Sequence, residues 1–290
     1  MKIKLNHYKN FNWRECDKLI RLALQEDVGR GDVTSEFLIP RNEHSKAIVL
    51  VKETGIIAGL KIFERVFELI DKNVKVKFFV KDGDKVKKGK VAGEISGKTR
   101  SLLMGERLSL NIIQRMSGIA TMLNEATRRL NNKNIKILDT RKTTPNFRLF
   151  EKLAVKIGGG ENHRFGLYDM MLIKDNHIEA NDGIENVLKK LKRFRKKVKV
   201  EIEVKDLNEL KLVVEKGRGL VDRIMFDNFN LSQLKKAGEL VKGRFETEIS
   251  GGVNISNIRK YSKLRGINYI SSGALTHSNK SLDIALDFIS

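Results

Sequence analysis

The chain has 290 residues, of which 40% are hydrophobic, and its 57 lysines and arginines against 36 aspartates and glutamates give a formal net charge of +21. This length allows one large α/β domain or two smaller ones. No apolar stretch approaches the roughly 20 residues of a membrane-spanning helix, and MKIKLNHYKNFNW at the N-terminus lacks the apolar core of a signal peptide, so we expect neither a membrane protein nor an exported one. The single cysteine, Cys16, excludes an internal disulfide and is typical of the reducing cytoplasm, where we expect the protein to be located.

The positive charge fits two classes of protein, one that binds nucleic acid and one that acts on multiply anionic small molecules. The densest basic run is KKLKRFRKKVK at 189–199, which has the character of a solvated helix end. Its one aromatic residue is Phe194, whereas nucleic-acid-binding surfaces interleave aromatic and basic residues. We therefore predict small anionic substrates as partners, and no nucleic acid.

The N-terminal third of the chain predicts a helix followed by a small, mainly antiparallel sheet. The helical segment is CDKLIRLALQED at 16–27, and KAIVLVKETGIIAG, VKVKFFVKDGDKV and GKVAGEISG show period-two alternation with Gly-rich turns. The stretch DGDKVKKGKVAGEI resembles the hairpin of biotinyl and lipoyl carrier domains, but it has no modifiable lysine at a tight tip. Residues 101–130 have apolar residues at helical spacing, and Gly118 predicts a break between two helices.

A repeated strand–helix pattern begins near residue 135. Six short apolar segments, each followed by polar residues or glycine, predict strands: IKIL, MMLI, VKVEIEV, RIMF, FETEIS and INYI. Helices are predicted between them at LNELKLVVEK, LSQLKKAGELV and ISNIRKYSKL. This alternation predicts βαβ units and a parallel sheet. Because no Gly-x-Gly-x-x-Gly motif opens the first unit, the pattern favours an open or closed barrel over a doubly wound sheet.

Ligand-like side chains accompany all six predicted strands, mostly at the end of an α/β barrel where active sites form. These residues are Arg141, Lys142, Lys174, Asp175, Glu201, Glu203, Asp227, Asn228, Ser250, Gly251, Gly252, Ser271, Ser272 and Gly273. Period-two alternation places Glu201 and Glu203 together on the inner face of the third strand. Cations combined with Ser/Gly turns after the last two strands suit phosphate and carboxylate groups.

Each of these features also has a simpler structural explanation. The Ser-Gly-Gly segment can be an ordinary turn, the paired glutamates can be buried ion-pair partners, and Asp175-Asn176 can cap a helix. His163 and His177 have no third ligand at the spacing of a zinc site. The presence of ligand-like residues at six separate strands nevertheless favours one binding site for anions.

Longer segments carry a more specific signal: LQEDVGRGDVTS at 24–35, GERLSLNIIQRMSGIAT at 105–121, LDTRKTTP at 138–145 and GGGENHRFGLYDMMLIKDNH at 158–177, followed by EIEV, FDNF, ISGGVN and ISSGALTHS. Together they resemble the quinolinate phosphoribosyltransferase family, the decarboxylating nicotinate-nucleotide pyrophosphorylases of NAD synthesis. The resemblance implies an N-terminal α/β sandwich over 1–112, to which 277–290 return, and an incomplete α/β barrel of about six to seven parallel strands over 113–276. Asn146-Phe147, where the family usually has Gly-Leu, and Ser272, where a larger apolar residue is common, are departures that we expect to change local geometry slightly.

The resemblance also implies a reaction. Quinolinate and phosphoribosyl pyrophosphate would give nicotinate mononucleotide, carbon dioxide and pyrophosphate, with Mg²⁺ accompanying the phosphoribosyl pyrophosphate. The quaternised ring nitrogen would accept the electrons of decarboxylation, so no pyridoxal or thiamine cofactor is expected. A related phosphoribosyltransferase that acts on another ring acid is the alternative.

The family's substrate-binding positions fall on Arg107, Thr140, Arg141, Lys142, His163, Arg164, Lys174, Glu203, Asp227, Ser250, Gly251, Gly252 and Gly273, and Ser271 and Ser272 complete the predicted set. Lys142, Lys174, Glu203 and Asp227 are the predicted catalytic residues, with the lysines as electrostatic and positioning groups rather than Schiff-base nucleophiles. The two carboxylates, Glu203 and Asp227, are also the predicted ligands of the ribose hydroxyls or of the metal. In the family, the arginine that corresponds to Arg107 reaches the neighbouring subunit's site, which implies a homodimer or a larger assembly such as a hexamer.

Overall fold

The computed structural model describes residues 7–194 and 197–289, and the chain forms two compact units. The first unit consists of Met1–Asn124, Thr144–Gly159 and Asn279–Ser290, and the second of Glu125–Thr143 and Gly160–Ser278. The predicted domains, 1–112 with 277–290 and 113–276, divide the chain differently, because residues 113–124 and Thr144–Gly159 belong to the first unit.

The first unit contains an antiparallel sheet and several helices. Its elements, numbered in chain order over the whole chain, are α1 (Trp13–Val28), α2 (Val33–Leu38), β1 (His44–Val51), β2 (Gly55–Ile56), α3 (Leu60–Ile70), β3 (Lys75–Phe78), β4 (Lys85–Val86), β5 (Val91–Lys98), most of α4 (Thr99–Leu130), α5 (Arg148–Ile157) and β12 (Ile284–Ile289). The main sheet has the order β12-β1-β5-β3 and is antiparallel throughout, as predicted. Strand β12 pairs with β1, so the C-terminal segment returns to the N-terminal sheet.

The apolar core of the first unit is formed by the main sheet and α3. Ala47, Val49 and Val51 alternate along β1, are fully buried, and belong to the same cluster as Phe63 and Phe67 of α3. Phe63 and Phe67 are four residues apart in the sequence and therefore lie on one face of the helix. Burial of each such phenylalanine contributes roughly 1.5–3 kcal/mol, which is enough to fix which face of the sheet turns inward. The sequence analysis predicted the strands around α3 but not α3 itself.

Helix α4 runs without interruption over Thr99–Leu130, so the predicted break at Gly118 is wrong. A Cβ atom on Gly118 would lie 2.1 Å from the backbone oxygen of Lys280, closer than a side chain could tolerate. Nearby, the Leu282 backbone N–H donates to the Gln114 carbonyl at 3.0 Å. Glycine at this position therefore lets the segment before β12 lie directly against the helix, at a cost in helix stability of roughly 0.5–1 kcal/mol relative to alanine.

The turn before α5 contains one of the departures from the family pattern. Asn146 has a φ of 60°, in the left-handed region that glycine favours and that asparagine adopts more readily than most residues. The adjacent Phe147 packs against Phe150 with ring centroids 4.8 Å apart. The turn therefore forms without glycine.

The second unit is built on six parallel strands with helices between them. Its elements are the end of α4, β6 (Lys136–Leu138), β7 (Met171–Ile173), α6 (Asp175–Glu179), α7 (Ile184–Leu191), β8 (Val200–Val204), α8 (Leu207–Lys216), β9 (Arg223–Asp227), α9 (Leu231–Val241), β10 (Glu246–Ser250), β11 (Tyr269–Ser271) and α10 (Ala274–His277). The strand order is β6-β11-β10-β9-β8-β7, and every pair is parallel. The six predicted strands are thus confirmed. Strands β6 and β7 are the edges of the sheet, and an isolated bridge joins Leu138 of β6 to Glu161.

Strand β8 has one apolar face and one carboxylate face. Val200, Ile202 and Val204 alternate with Glu201 and Glu203, and all five residues are buried. Both faces of a parallel sheet are normally covered, so the two carboxylates are buried together. The predicted placement of Glu201 and Glu203 on one face is confirmed.

Helices α8 and α9 confirm the helices predicted over 207–216 and 231–241. Each begins after a side chain that accepts backbone N–H groups of the first turn, Asp206 for α8 and Asn230 for α9. The basic run begins at the end of α7, which finishes at Leu191. Two residues of that run, Arg195 and Lys196, lie outside the described residues.

The helix predicted over 255–264 is wrong, since this segment forms only a 3-10 helix at Ile258–Tyr261. The Asn254 side chain accepts the Ser256 backbone N–H at 3.0 Å, and the Asn257 side chain accepts the Asn254 backbone N–H at 3.0 Å. Such local side-chain hydrogen bonds compete with the first turn of an α-helix. Within residues 7–194 and 197–289, no helix combines the length and the apolar character that crossing a membrane requires.

Candidate active site

A cavity of about 670 Å³ lies at the C-terminal ends of the parallel strands in the second unit. The predicted site residues that line it are Thr140, Arg141, Lys142, His163, Arg164, Lys174, Asp227, Ser250, Gly251, Gly252, Ser271, Ser272 and Gly273. Active sites of α/β barrels form at this end, and the volume suits a small-molecule ligand. The structure therefore brings most of the predicted residues together, while their individual roles stay predictions.

Four cationic residues contribute to this lining: Arg141, Lys142, Arg164 and Lys174. Burial lowers the pKa of Arg164, and the positive charge of Arg141 lowers it further, although a guanidinium remains charged at neutral pH. Repulsion between neighbouring cations is relieved when an anion binds among them. The cavity is thus electrostatically suited to a ligand that carries several negative charges.

Glu203 does not line the cavity but contacts one of these cations. Its Oε2 lies 2.7 Å from Nζ of Lys174, and its side chain is 8% exposed, compared with 46% for the lysine. Because the carboxylate is buried on β8, it holds the ammonium group in a defined position. A hydrogen bond between two ionised groups is shorter and stronger than one between neutral groups, so Lys174 is positioned for a ligand rather than mobile in solvent.

Two backbone turns, at 250–254 and 271–274, also line the cavity. Gly251 and Gly252 have φ values of 96° and 60°, in the left-handed region that favours glycine. Successive backbone N–H groups in such turns form a concavity that binds anions. The Ser272 hydroxyl donates to the Val253 carbonyl at 2.6 Å and so joins the two turns, which gives this buried serine a hydrogen-bond partner where the family more often has an apolar residue.

His163 is buried beside Arg164 in the lining. Its backbone N–H donates to Oδ1 of the buried Asp139 at 2.9 Å, and Asn162 Nδ2 donates to Oδ2 of the same carboxylate at 2.7 Å. The Arg164 backbone N–H donates to Nδ1 of His163 at 2.7 Å, which places the hydrogen of a neutral imidazole on Nε2. Asp139, directly after β6, therefore fixes the segment that carries both residues.

A buried cluster of charged residues adjoins His163 on the inner face of the sheet. His163 Nε2 lies 2.9 Å from Oε2 of Glu201 and 3.6 Å from Oε2 of Glu248. Arg223 Nη1 donates to that Glu248 oxygen at 2.9 Å, and its guanidinium stacks on Tyr269 at 4.0 Å. Burial raises the pKa of both carboxyl groups to about 7, and the charge of Glu201 adds to the rise for Glu248. Glu201 and Glu248 therefore hold a proton more readily than ordinary carboxyl groups do.

The ligand atoms of His163, Glu201 and Glu248 lie within 4.8 Å of one another, close enough to hold a metal ion. The hydrogen on Nε2 and the contact between Arg223 and Glu248 argue instead for a network of ion pairs. The sequence analysis named Glu201 but missed Glu248 and Arg223. Period-two alternation, applied to RIMFD and ETEIS as it was to β8, would have placed both on the inner face.

Of the remaining residues named in the sequence analysis, Asn228 also lines the cavity, whereas Arg107 and Asp175 do not. Arg107 is an exposed residue of α4 in the first unit and is not among the residues that line the cavity. Asp175 and Asn176 are the first two residues of α6, so they lie at a helix start, but the N-cap residue is Lys174, whose backbone N–H donates to Nδ1 of His177 at 3.0 Å. The cavity lining also includes Asn228, Asn254 and His277.

Comparison with known proteins identifies the family. The model for the N-terminal domain of quinolinate phosphoribosyl transferase matches residues 32–117, and the model for the C-terminal domain matches residues 119–287. A probable nicotinate-nucleotide pyrophosphorylase [carboxylating] of Bacillus subtilis (strain 168) is 44% identical over 277 residues, which cover 95% of this chain and 94% of that protein. Quinolinate phosphoribosyltransferase [decarboxylating] 2, mitochondrial, of Nicotiana glauca is also 44% identical, over 94% of this chain and 82% of the relative.

A solved structure agrees with these matches. The crystal structure of NadC from Streptococcus pyogenes superimposes with a TM-score of 0.91 at 39% sequence identity, over 97% of this chain and 100% of that one. The two family models together span most of the chain, and the fold and the sequence point to the same group. The chain belongs to the quinolinate phosphoribosyltransferase family.

Proposed function

We propose that this chain catalyses the reaction for which its family is named. It transfers the phosphoribosyl group of phosphoribosyl pyrophosphate to quinolinate and releases pyrophosphate and carbon dioxide, leaving nicotinate mononucleotide. The observation that carries the proposal is the cavity in which Arg141, Lys142, Arg164 and Lys174 line the same space as two glycine-containing turns. Both substrates are multiply anionic, and this lining offers cations for carboxylates and backbone N–H groups for phosphates.

Quinolinate carries two adjacent carboxylates, and the cationic residues account for both. Arg141 and Arg164 can each form a bidentate pair with a carboxylate, which fixes the plane of the ring. Lys142 and Lys174 add positive charge, and Glu203 holds Lys174 in place. Each hydrogen bond to a charged group contributes roughly 1.5–3 kcal/mol, so the loss of any one cation is measurable.

The turns at Ser250–Gly252 and Ser271–Gly273 bind the phosphate groups of the second substrate. The ring nitrogen of quinolinate attacks the anomeric carbon, and the bond from that carbon to pyrophosphate breaks. Asp227 and Glu203 place negative charge near the positive charge that develops on the ribose during this step, and they are the residues that hold its hydroxyls. The product of the step has a quaternary, positively charged ring nitrogen.

That cationic nitrogen makes the second step possible. The bond between the ring carbon beside it and its carboxyl group breaks, carbon dioxide leaves, and the electron pair remains on the carbon next to the positive charge. A proton from solvent then completes the product. In this step the lysines act through their charge and position and form no covalent bond.

Mg²⁺ belongs to the proposal as a companion of the pyrophosphate. Mg²⁺ prefers substrate phosphates together with one or two carboxylates. Asp227 and Glu248 both line the cavity, but Glu248 is paired with Arg223, whereas Asp227 lies beside Ser250 of the 250–252 turn, so Asp227 is the better candidate. Glu203 is paired with Lys174, so it fits a role toward the ribose better than a role in the metal shell. When bound, Mg²⁺ would neutralise part of the negative charge of the pyrophosphate group.

The reaction is tested with purified protein, Mg²⁺ and quinolinate labelled in the carboxyl group next to the ring nitrogen. Labelled carbon dioxide should appear only when phosphoribosyl pyrophosphate is added, and pyrophosphate should appear in equal amount. The control replaces quinolinate by nicotinate, which has one carboxylate. Pyrophosphate release with nicotinate and none with quinolinate would favour the alternative, a phosphoribosyltransferase for another ring acid.

The proposal extends to a dimer in which Arg107 serves the partner's site, because this exposed arginine lies on α4 outside the cavity lining. An Arg107→Ala chain mixed with a Lys142→Ala chain tests it. Half of the dimers are then mixed and each has one intact site, so about one site in four should recover activity. Mixed dimers without activity would contradict the shared site, and sedimentation would distinguish a dimer from a hexamer.

We also propose a cytoplasmic location, on the ground of a single cysteine that is buried and unpaired among the described residues. The relative from Nicotiana glauca is named as mitochondrial, so the location varies within the family. Fractionation of cells that express the natural chain tests the proposal.

A further inference from the structure

Asn228 lies between two parts of the candidate site, the Asp227 carboxylate and the 250–252 turn. Strands β9 and β10 end side by side, with Asp227 paired to Ser250 in register. Asn228 follows β9 with a φ of 54°, in the left-handed region that asparagine adopts more readily than most residues other than glycine. This conformation turns the chain sharply at the end of β9.

The Asn228 residue contacts both neighbours at once. Its Nδ2 donates to Oδ2 of Asp227 at 2.7 Å, and its backbone N–H donates to the Ser250 carbonyl at 3.1 Å. Its Oδ1 occupies the space beside Gly251, where a Cβ atom would lie 2.1 Å away. The glycine at 251 is therefore required for three reasons: its φ of 96°, the asparagine oxygen next to it, and the Asn228 backbone nitrogen, which would lie 2.8 Å from a Cβ atom.

We propose that Asn228 is a positioning residue that holds the Asp227 carboxylate and the 250–252 phosphate turn in one fixed relation. Because Nδ2 engages Oδ2 of Asp227, the other carboxylate oxygen, Oδ1, is directed to the ligand. The Asn228 amide also lies between the negative charge of Asp227 and the 250–252 turn, which in the proposed function binds a phosphate group. The inference rests on the proposed function for the identity of the ligand, phosphoribosyl pyrophosphate, and adds a residue and a role to it.

The first test is Asn228→Gly, which keeps the left-handed backbone and removes only the amide. A hydrogen bond to a charged group is lost, so the KM for phosphoribosyl pyrophosphate should rise about 10- to 100-fold. The KM for quinolinate should change by less than about 3-fold, because the cations that bind it are unaffected. Asn228→Ala also removes the amide, but alanine adopts the left-handed region less readily than asparagine does. This variant should therefore lower the stability of the fold as well. Asn230→Gly, two residues along at the start of α9, is the matched control and should leave both KM values unchanged.

The second test is a double-mutant cycle between positions 228 and 251. Gly251→Ala alone should nearly abolish pyrophosphate binding, measured by calorimetry, because the new Cβ meets the asparagine oxygen. The combined variant Asn228→Gly/Gly251→Ala removes the contact with the asparagine oxygen and leaves the contact with the backbone nitrogen of residue 228, 2.8 Å from the new Cβ, so it should bind pyrophosphate about 5-fold more tightly than Gly251→Ala and still more weakly than the wild type. Strictly additive effects of the two substitutions would overturn the proposal.

The outcomes separate this inference from the proposed function. If the wild-type chain does not turn over quinolinate, the proposed function fails, while the calorimetry of pyrophosphate still tests the role of Asn228. If turnover is normal and Asn228→Gly leaves both the KM for phosphoribosyl pyrophosphate and pyrophosphate binding unchanged, the inference fails alone. If Gly251→Ala does not fold, Asn228→Gly decides the question by itself.

Discussion

The main sheet of the first unit and the parallel sheet of the second bury different kinds of side chain. The cluster that includes Ala47, Val49 and Phe63 is apolar throughout. The inner face of the parallel sheet instead buries Glu201, Glu203, Arg223 and Glu248, none more than 9% exposed. Apolar side chains need only to fill space, whereas each buried charge needs a partner. The first core therefore depends on volume and the second on pairing, and only the second can hold a charged ligand at its end.

The largest expected effect is on the pairing in the second unit. Arg223→Met should lower the free energy of unfolding by about 3–5 kcal/mol at pH 8, because it leaves Glu201, Glu246 and Glu248 without their buried cation. The pKa values of Glu201 and Glu248 are already raised to about 7. Groups with raised carboxyl pKa values stabilise the fold below the ordinary carboxyl range, and this contribution is lost as the pH rises through about 7.

The defect of Arg223→Met should accordingly be smaller at pH 5, where these carboxyl groups take up protons. Urea unfolding at both pH values measures the difference. Adding Glu248→Gln to Arg223→Met should recover part of the loss at pH 8. An equal loss at both pH values would mean that volume, rather than charge, governs this core as well.

The matching test of the first unit is Phe63→Ala. The cavity that it creates should cost about 3–5 kcal/mol of unfolding free energy, and the cost should be the same at pH 5 and pH 8 because no charge is involved. Phe79→Ala is the control, since Phe79 is 48% exposed and should change stability by less than about 0.5 kcal/mol. A loss of unfolding free energy in Phe63→Ala that changed with pH would contradict this contrast between the two cores.

A third prediction distinguishes the effect of one cation in the cavity from the effect of the protein's overall positive charge. Lys174→Ala should raise the KM for quinolinate about 10- to 100-fold, because it removes a cation of the cavity lining that the proposed function assigns to a quinolinate carboxylate, and should alter inhibition by pyrophosphate much less. Lys189→Ala removes the same charge from the exposed end of α7 and should change neither. Equal losses of quinolinate and pyrophosphate affinity would place Lys174 in the wrong part of the cavity.

The smallest effect concerns an ion pair at the surface of the first unit. Asp17 and Arg65 are 2.7 Å apart with side chains 27% and 33% exposed, and hydrogen bonds from Arg65 lower the pKa of Asp17. Asp17→Asn should cost about 0.2–1 kcal/mol at pH 7. A lowered carboxyl pKa stabilises the fold above the ordinary carboxyl range, and this contribution is lost as the pH falls through the lowered pKa, so the stabilities of wild type and variant should converge in acid below that range. A difference between wild type and variant that persists at low pH would show that the ion pair is not its source.

Local sequence patterns were sufficient to predict the architecture of the second unit. Short apolar segments followed by polar residues predicted all six strands, and the rule that parallel strands end together predicted the cavity. Period-two alternation placed Glu201 and Glu203 on one face. These features depend on residues close in sequence, and so a single chain reveals them.

Two of the wrong or missing predictions, at Gly118 and Arg223, have causes that are distant in sequence, and the third, at 255–264, has a local one. Gly118 was taken for a helix break, but its role is to admit the backbone of Lys280, which is far away in sequence. The helix predicted over 255–264 gave way to hydrogen bonds of Asn254 and Asn257, which a pattern of apolar residues does not register. Arg223 escaped notice because its importance comes from carboxylates on two neighbouring strands.

The pairing of β12 with β1 has a consequence for how the chain is made. Strand β1 spans His44–Val51, yet its partner Ile284–Ile289 leaves the ribosome only after the entire second unit has been synthesised. During translation, the edge of the N-terminal sheet at β1 therefore has no partner strand. An unpaired sheet edge can pair with a strand of another chain. The nascent protein must be kept apart from its neighbours for that interval, and its yield should depend on crowding and on chaperone supply more than its final stability suggests.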